Sequence, residues 1–356
     1  MDDARFKDSL HAESLDRNAR LGNLRRAAAS RGGNESLDQI TRFLDLQHPH
    51  LLWGLGGVFG LVVLGAVVAG VLTVVNPRKD YTELRQRIFS WVIMIALLSA
   101  ALLLGWQATT ALFAVVSFIA LREFLSLAPT RREDRLIVLA AYLAIPLNYA
   151  FIAADIYGVY LVLIPVYAFL ITPWLMAVIG QTRGFLASAS MFHWGLMACT
   201  YNSGYAPFLM RTPPYEAPAG GAGLVFFLLV ATEFNDVAQY VWGKLLGRHK
   251  IIPRVSPNKT WEGFIGGWIT TAALIWFAGP LFTPLEGLGL AVVAVVLPAA
   301  GFAGDVTMSA IKRDIGVKDT SHLIPGHGGI LDRIDSLTFT APIYFHLLAF
   351  FALEKF

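Results

Sequence analysis

The sequence predicts an all-α, polytopic integral membrane protein with about nine or ten transmembrane helices. Of its 356 residues, 56% are hydrophobic and only 15% are charged, whereas a soluble domain is about 25% charged. The mean hydropathy is +0.57. Residues 51–75 and 91–121 contain no charged side chain, and about 20 apolar residues cross the hydrocarbon core as a helix. These observations exclude a soluble enzyme, a disulfide scaffold and a disordered chain.

Residues 1–50 form a polar tail that differs from the transmembrane region, residues 51–356. The tail carries eight basic and eight acidic residues, so its net charge is zero. It lacks the apolar core and small-residue cleavage site of a signal peptide. Leu37, Ile40, Phe43 and Leu44 recur at helical spacing and predict a short amphipathic helix. We expect the tail to have no catalytic role.

After residue 50, apolar runs alternate with short hinges that are rich in glycine and proline. The first run also contains six glycines, which favour close helix packing in lipid: Gly54, Gly56, Gly57, Gly60, Gly65 and Gly70. The predicted spans are 51–75, 88–106, 107–124, 136–154, 157–179, 185–209, 222–243, 263–283, 288–304 and 337–353.

The basic residues separate onto one side of these spans. Eighteen lie in one set of loops, whereas the opposite set holds Arg211 and the C-terminal Lys355. The positive-inside rule therefore predicts that the first set faces the cytoplasm. If residues 51–75 span the membrane, however, the tail and its eight basic residues lie outside. A re-entrant or surface-lying first run is the alternative.

Two polar segments, 244–262 and 305–336, interrupt the otherwise short connections, and such loops usually carry function. In the second segment, cations can neutralise a polyphosphate, carboxylates suit Mg²⁺, and glycines let backbone amides approach an anion. Phosphoryl or nucleotidyl transfer needs this combination; the alternative is a solvated loop rich in ion pairs. The residues are Lys312, Arg313, Lys318, Arg333, Asp305, Asp319, Asp332, Asp335, Gly326, Gly328 and Gly329.

Two further carboxylates, Glu233 and Asp236, lie within the otherwise apolar run 224–242. An ionised carboxylate is costly in hydrocarbon, so such a group normally faces a polar cavity or a cation. A hydrogen bond to a neighbouring helix is the alternative for each.

The second segment resembles the signature of the phosphatidate cytidylyltransferase (CDP-diacylglycerol synthase) family. The run reads Ser309-x-x-Lys312-Arg313-x4-Lys318-Asp319-x-Ser321-x3-Pro325-x-His327-Gly328-Gly329-x-x-Asp332-Arg333-x-Asp335. The first segment, Ser256-Pro257-Asn258-Lys259-Thr260-Trp261-Glu262-Gly263, is similar to the family's Ser-Pro-Lys-Lys-Thr-Trp-Glu-Gly stretch. Asn258 replaces a lysine there, so no phosphate-neutralising role is expected at that position. Asn235-Asp236 resembles the family's Asn-Asp element.

The resemblance is strongest over residues 230–337, and it implies a reaction in phospholipid biosynthesis: CTP + phosphatidate → CDP-diacylglycerol + pyrophosphate. It also implies Mg²⁺ or another divalent cation, a site at the cytoplasmic face of a bacterial inner membrane, and a homodimer. The implied metal ligands are Asp305 and Asp332, with Asp236 and Asp335 as second choices. Lys312 and Arg313 are the other implied catalytic residues. The implied substrate-binding residues are Ser256, Lys259, Thr260, Lys318, His327, Gly328, Gly329 and Arg333.

Two alternative functions follow from the same residues. One is a related CTP-dependent lipid enzyme, such as a polyprenol or phytol kinase or an ether-lipid cytidylyltransferase. The other is a transporter, which the absence of an internal repeat and the crowding of charges into two loops argue against. Nucleic-acid binding is not expected, because no basic patch is interleaved with aromatic residues outside the membrane region. The single cysteine, Cys199, cannot form an internal disulfide.

Overall fold

The fold is taken from a computed structural model, which describes residues 48–78, 80–128, 131–180, 182–211 and 217–352. Nine of the described helices are long and apolar enough to cross a membrane. The prediction of an all-α, polytopic integral membrane protein is therefore confirmed. The amphipathic helix predicted within residues 37–44 lies outside the described residues.

The described helices follow the predicted spans closely. The helix α5 contains a π-helical segment, Leu163–Ala168, and α6 is joined to α7 by a π-helical turn, Met197–Tyr201. Span 185–209 corresponds to α6 and α7 and is not among the nine helices that are long enough to cross a membrane. The last of these nine, Leu331–Ala352, consists of α11 and α12. The helices are α1 (Pro49–Val75), α2 (Thr82–Leu104), α3 (Trp106–Leu127), α4 (Arg135–Ala153), α5 (Tyr157–Val178), α6 (Phe185–Leu196), α7 (Asn202–Phe208), α8 (Gly220–Leu246), α9 (Trp261–Phe282), α10 (Gly287–Ile315), α11 (Leu331–Ile334) and α12 (Leu337–Ala352).

The first helix, α1, is continuous over 27 residues, which makes it about 40 Å long. Its length suffices for a full span, while its sidedness stays a prediction. The expectation that its glycines serve close packing is wrong for five of the six. A Cβ atom at Gly54 would meet the ring of Phe226, but at the other five it would meet no described atom within 4 Å. The reason is that α1 lies at the periphery of the described helices, where only 6% of its most apolar stretch is buried.

The prediction that residues 305–315 form a loop is wrong, because α10 runs without a break to Ile315. The apolar run ends near residue 304, yet the helix continues as a polar extension and ends at Gly316, whose φ is +84°. A glycine in this left-handed conformation is a common helix terminator. Asp305 and Lys312 are seven residues apart, so both lie on one helix face, whereas Arg313 lies about 100° further round.

Buried polar contacts join α8, α9, α10 and α12. The side-chain amide of Asn235 donates to the carbonyl oxygen of Pro298 at 3.0 Å. The hydroxyls of Thr232 and Thr340 lie 2.9 Å apart, and Ser336 donates to Asp236 at 2.8 Å. In an apolar medium such bonds fix helices against one another. They hold the carboxylate of Asp236 beside the start of α12.

Helices α8 and α9 pack closely at Gly263. A Cβ atom there would lie 2.8 Å from the carbonyl oxygen of Gln239 and 2.9 Å from Cα of Gly243, so only glycine fits. The Thr260 hydroxyl accepts a hydrogen bond from the Gly263 amide at 3.2 Å and caps α9. These contacts give a structural reason for two residues of the Ser256–Gly263 stretch.

Candidate active site

A cavity of about 780 Å³ opens between α2, α8, α10 and the segment that follows α10. Its walls combine side chains of both charges, which is what binding of a phosphate together with a cation requires. The cations are Arg87, Lys312, Lys318 and Arg333, and the carboxylates are Glu83, Glu233, Asp236, Asp305, Asp319, Asp332 and Asp335.

A second cavity of about 520 Å³ adjoins the first, and Asp236, Tyr240 and Asp305 line both. The remaining wall of the second cavity includes four residues of the segment before α9: Ser256, Asn258, Lys259 and Thr260. The structure therefore brings the two polar segments of the sequence to opposite sides of the same two carboxylates.

Two largely buried ion pairs cross these cavities. Lys259 Nζ lies 2.6 Å from Asp305 Oδ2, and Lys312 Nζ lies 2.8 Å from Asp332 Oδ1. Lys312 Nζ is also 3.9 Å from Asp335 Oδ2. A buried charge without a partner is costly, so each carboxylate stabilises its lysine. An anion of higher charge, such as a phosphate, can take the place of that carboxylate.

Asp332 also organises the loop that precedes it. Its Oδ2 atom accepts hydrogen bonds from the Thr320 amide at 2.8 Å, the Thr320 hydroxyl at 2.9 Å and the Gly329 amide at 2.9 Å. Gly328 has a φ of +80°, and a Cβ atom there would lie 2.7 Å from Asp332 Oδ2. The glycine is required because any side chain would collide with this carboxylate.

The carboxylates differ in how fully they are engaged. Within the described residues no donor reaches the buried Oδ1 of Asp236. Asp335 Oδ1 accepts from the Ser336 amide at 2.8 Å and Asp305 Oδ1 from Ser309 at 3.2 Å. Asp332 is bonded through both oxygens, so it can become a ligand only if Lys312 moves. These oxygens suit a divalent cation, although in the described part of the chain no three ligand side chains already converge.

His327 and Arg333 line the first cavity. Burial, helped by the charge of Arg333, lowers the pKa of His327 below its ordinary value. The rings of His327 and Trp91 lie at right angles, with 5.8 Å between their centroids. Neither His327 Nδ1 nor Arg333 Nε has a hydrogen-bond partner among the described residues, which leaves both atoms able to bind an added group.

Two predicted site residues lie away from the cavities. Arg313 Nε donates to the carbonyl oxygen of Val255 at 3.2 Å, and its Nη1 donates to that of Val317 at 3.1 Å. It thus ties the two polar segments together from the outer face of α10. Gly329 packs against Thr320 and Glu123, where a Cβ atom would collide with both side chains.

Sequence reasoning missed five residues. Glu83, Arg87 and Trp91 of α2 line the cavity, and Ser90 beside them donates to the carbonyl oxygen of Pro325 at 2.8 Å. Their positions depend on a tertiary contact that no local pattern reveals. Glu123, which is 7% exposed near the end of α3, had a usable signal, because an ionisable group at the end of an apolar span suggests a polar contact.

Comparisons with known proteins identify the family of the chain. A model of the cytidylyltransferase family matches residues 85–351. The uncharacterized protein YnbB of Escherichia coli (strain K12) is 40% identical over 296 residues, which are 83% of this chain and 97% of YnbB.

Two named relatives are matched over less than half of their own length. The phosphatidate cytidylyltransferase of Mycobacterium leprae is 42% identical over 136 residues, which are 37% of this chain and 42% of the relative. That of Haemophilus influenzae is 41% identical over 141 residues, which are 38% of this chain and 49% of the relative. The match to these two enzymes is thus partial, whereas the family match covers most of the chain. The chain belongs to the cytidylyltransferase family.

Proposed function

We propose that this protein transfers CMP from CTP to phosphatidate, giving CDP-diacylglycerol and pyrophosphate. The observation that carries the proposal is a cavity among helices that are able to span a membrane. Its lining combines lysine and arginine side chains with a cluster of carboxylates. The enzyme names of the two partial relatives support the same reaction.

The reaction joins two polyanions. An oxygen of the phosphatidate phosphate forms a bond to the α-phosphorus of CTP, and the bond from that phosphorus to the bridging oxygen breaks, so that pyrophosphate leaves. The nucleophile is already ionised and needs no protein base. The main obstacle is the electrostatic repulsion between the two polyanions. Lys312, Lys318 and Arg333 line the cavity, where their charges can reduce this repulsion. Lys259 adds a cation from the opposite segment.

We expect the carboxylates of Asp305, Asp332, Asp236 and Asp335 to hold a divalent cation, with Mg²⁺ as the first choice. When bound, such an ion neutralises phosphate charge and orients the reacting groups. The buried Oδ1 of Asp236, which no donor reaches among the described residues, favours this proposal, because a lone carboxylate oxygen in an apolar helix bundle is otherwise costly.

We further propose that the protein lies in the bacterial cytoplasmic membrane as a homodimer, with both polar segments facing the cytoplasm. The one-sided distribution of 18 basic residues supports this orientation, and CTP is a cytoplasmic substrate. A membrane-impermeant reagent should label a cysteine placed at Arg254 in inverted vesicles but not in right-side-out vesicles. Mass photometry of the detergent-purified protein should give twice the mass of the chain.

The test of the reaction uses purified protein, phosphatidate and CTP labelled at either the α- or the γ-phosphate. The proposal predicts that the α-label enters the lipid, while the γ-label appears in pyrophosphate. Transfer of the γ-label to a lipid alcohol with release of CDP would instead identify a kinase. Incubation with polyprenol, phytol and an ether-lipid phosphate in place of phosphatidate tests the lipid substrate in the same assay.

A further inference from the structure

Glu123 is a buried carboxylate that binds the segment 320–331 from a distant part of the chain. Its Oε1 atom accepts hydrogen bonds from the Ser321 hydroxyl at 2.7 Å and the Ile330 amide at 3.1 Å. Its Oε2 atom accepts from the Leu331 amide at 2.9 Å and the Thr320 hydroxyl at 3.1 Å. Four donors from both ends of one loop thus converge on a single side chain of α3.

The same loop is bound by Asp332 on its other side. The Thr320 hydroxyl lies 3.1 Å from Glu123 Oε2 and 2.9 Å from Asp332 Oδ2, so one hydroxyl is within hydrogen-bond distance of two buried carboxylates. Asp332 also accepts from the amides of Thr320 and Gly329. The conformation of the loop and the position of Asp332 are therefore coupled through Thr320.

The chemistry of the contact requires a carboxylate. All four groups that meet Glu123 are neutral donors, and an ionised carboxylate is an acceptor at both oxygens. A glutamine has the same shape, but its amide nitrogen is a donor and would face a backbone amide, which cannot accept a hydrogen bond. Buried donors left without an acceptor are costly. Within the described residues Glu123 has no lysine or arginine at ion-pair distance, so the loop itself stabilises its charge.

We propose that Glu123 is a positioning residue for the transfer reaction: it clamps the segment 320–331 and so fixes Asp332 and its partner Lys312 at the cavity. Glu123 does not line the cavity itself. The catalytic part of the proposal rests on the proposed function, whereas the structural part, the clamp, does not.

The test compares Glu123→Gln and Ser321→Ala with the wild type and with Glu133→Gln, a matched control at an exposed glutamate. Each purified, monodisperse protein is measured for kcat, for KM with CTP, and for amide hydrogen exchange over residues 317–331. We expect Glu123→Gln to lower kcat about 10- to 100-fold, the range seen when a group that orients a catalytic ligand is lost. KM should change little, and exchange at Ile330 and Leu331 should become faster while α9 stays unchanged.

Ser321→Ala removes one of the four bonds, so it should give smaller changes in the same directions, and Glu133→Gln should give none. If the Glu123→Gln protein does not fold, the kcat and the amide hydrogen exchange of Ser321→Ala decide whether the proposal stands. The proposal would be overturned if the Glu123→Gln protein had the kcat of the wild type. It would also be overturned if amide hydrogen exchange over residues 317–331 were unchanged in that variant. A loss confined to thermal stability would also overturn it. If the wild type makes no CDP-diacylglycerol, the proposed function fails, and hydrogen exchange alone decides the clamp.

Discussion

Two polar loops face each other across Asp236 and Asp305, and they are held in place by opposite means. The first, residues 250–260, is closed by a backbone bridge between Lys250 and Thr260. It sends one cation into the protein: Lys259 Nζ contacts Gln239 Oε1 at 3.1 Å and Asp305 at 2.6 Å.

The second loop, residues 317–330, is closed by a bridge between Ile324 and Gly328. Here the protein supplies the buried charges, because Glu123 and Asp332 accept hydrogen bonds from loop amides and hydroxyls. Removing the charge of Lys259 should remove the ion pair with Asp305 and leave the first loop folded. Removing a carboxylate under the second loop should disturb the loop and the chemistry together, so the second loop should be the more sensitive of the two.

The largest expected effect follows Asp332→Asn. An asparagine has no charge to pair with Lys312, and it keeps only one acceptor oxygen, so its amide nitrogen faces either Lys312 or the Thr320 and Gly329 amides. We expect CDP-diacylglycerol formation to fall at least about 100-fold, the loss typical of one preorganised electrostatic contact. The matched control is Asp314→Asn, at an exposed position of the α10 extension that carries Lys312. Equal activity in the two variants would contradict the comparison.

Asp236→Asn tests the carboxylate shared by the two cavities. Its Oδ1 atom has no described donor, so we expect the substitution to weaken cation binding more than folding. The Mg²⁺ concentration for half-maximal activity should rise about 10- to 100-fold, with the melting temperature in detergent nearly unchanged. An unchanged Mg²⁺ dependence would remove Asp236 from the set of proposed ligands.

Lys259→Gln tests the first loop. Loss of one charge-assisted contact should lower kcat/KM for CTP about 10-fold, which is less than the effect expected at Asp332. Arg254→Gln, at an exposed position of the same loop, should retain full activity. If Lys259→Gln were the more damaging substitution, the proposed difference between the loops would be reversed.

The smallest effect is expected at Thr260, whose hydroxyl caps α9. Thr260→Ala should lower the free energy of unfolding by about 1 kcal/mol, and Thr260→Ser should restore it. Thermal unfolding in detergent measures both. A large loss of activity in Thr260→Ala that serine restores would show instead that the hydroxyl binds substrate, as the resemblance to the family implies.

The sequence alone predicted most of the fold and the neighbourhood of the site. Long apolar runs determine where helices cross a bilayer, so each of the ten spans matches described helices, although α2 begins at Thr82 rather than residue 88 and α10 ends at Ile315 rather than residue 304. The polar extension of α10 was misread, because charged residues after an apolar run fit a loop and a helix equally well. Once Asp305–Ile315 is known to be helical, the separation of Lys312 from Arg313 follows from helix geometry.

Tertiary contacts were beyond the reach of sequence patterns. Glu123 and Ser321 are 198 residues apart, and the docking of Ser90 on Pro325 joins residues separated by 235 positions. The family signature identified Asp332 and Gly328 but not the reason for their pairing, which is the collision that a Cβ atom at Gly328 would cause.

We expect CTP to bind between the two loops, and protection of engineered cysteines tests this directly. The only native cysteine, Cys199, is buried, so a cysteine replacing exposed Asn258, His322 or Arg254 reports alone. Asn258 and His322 line the two cavities, whereas Arg254 does not. We expect CTP with Mg²⁺ to slow maleimide labelling at positions 258 and 322 and to leave labelling at position 254 unchanged. Unchanged labelling at both cavity positions, or equal slowing at all three, would contradict it.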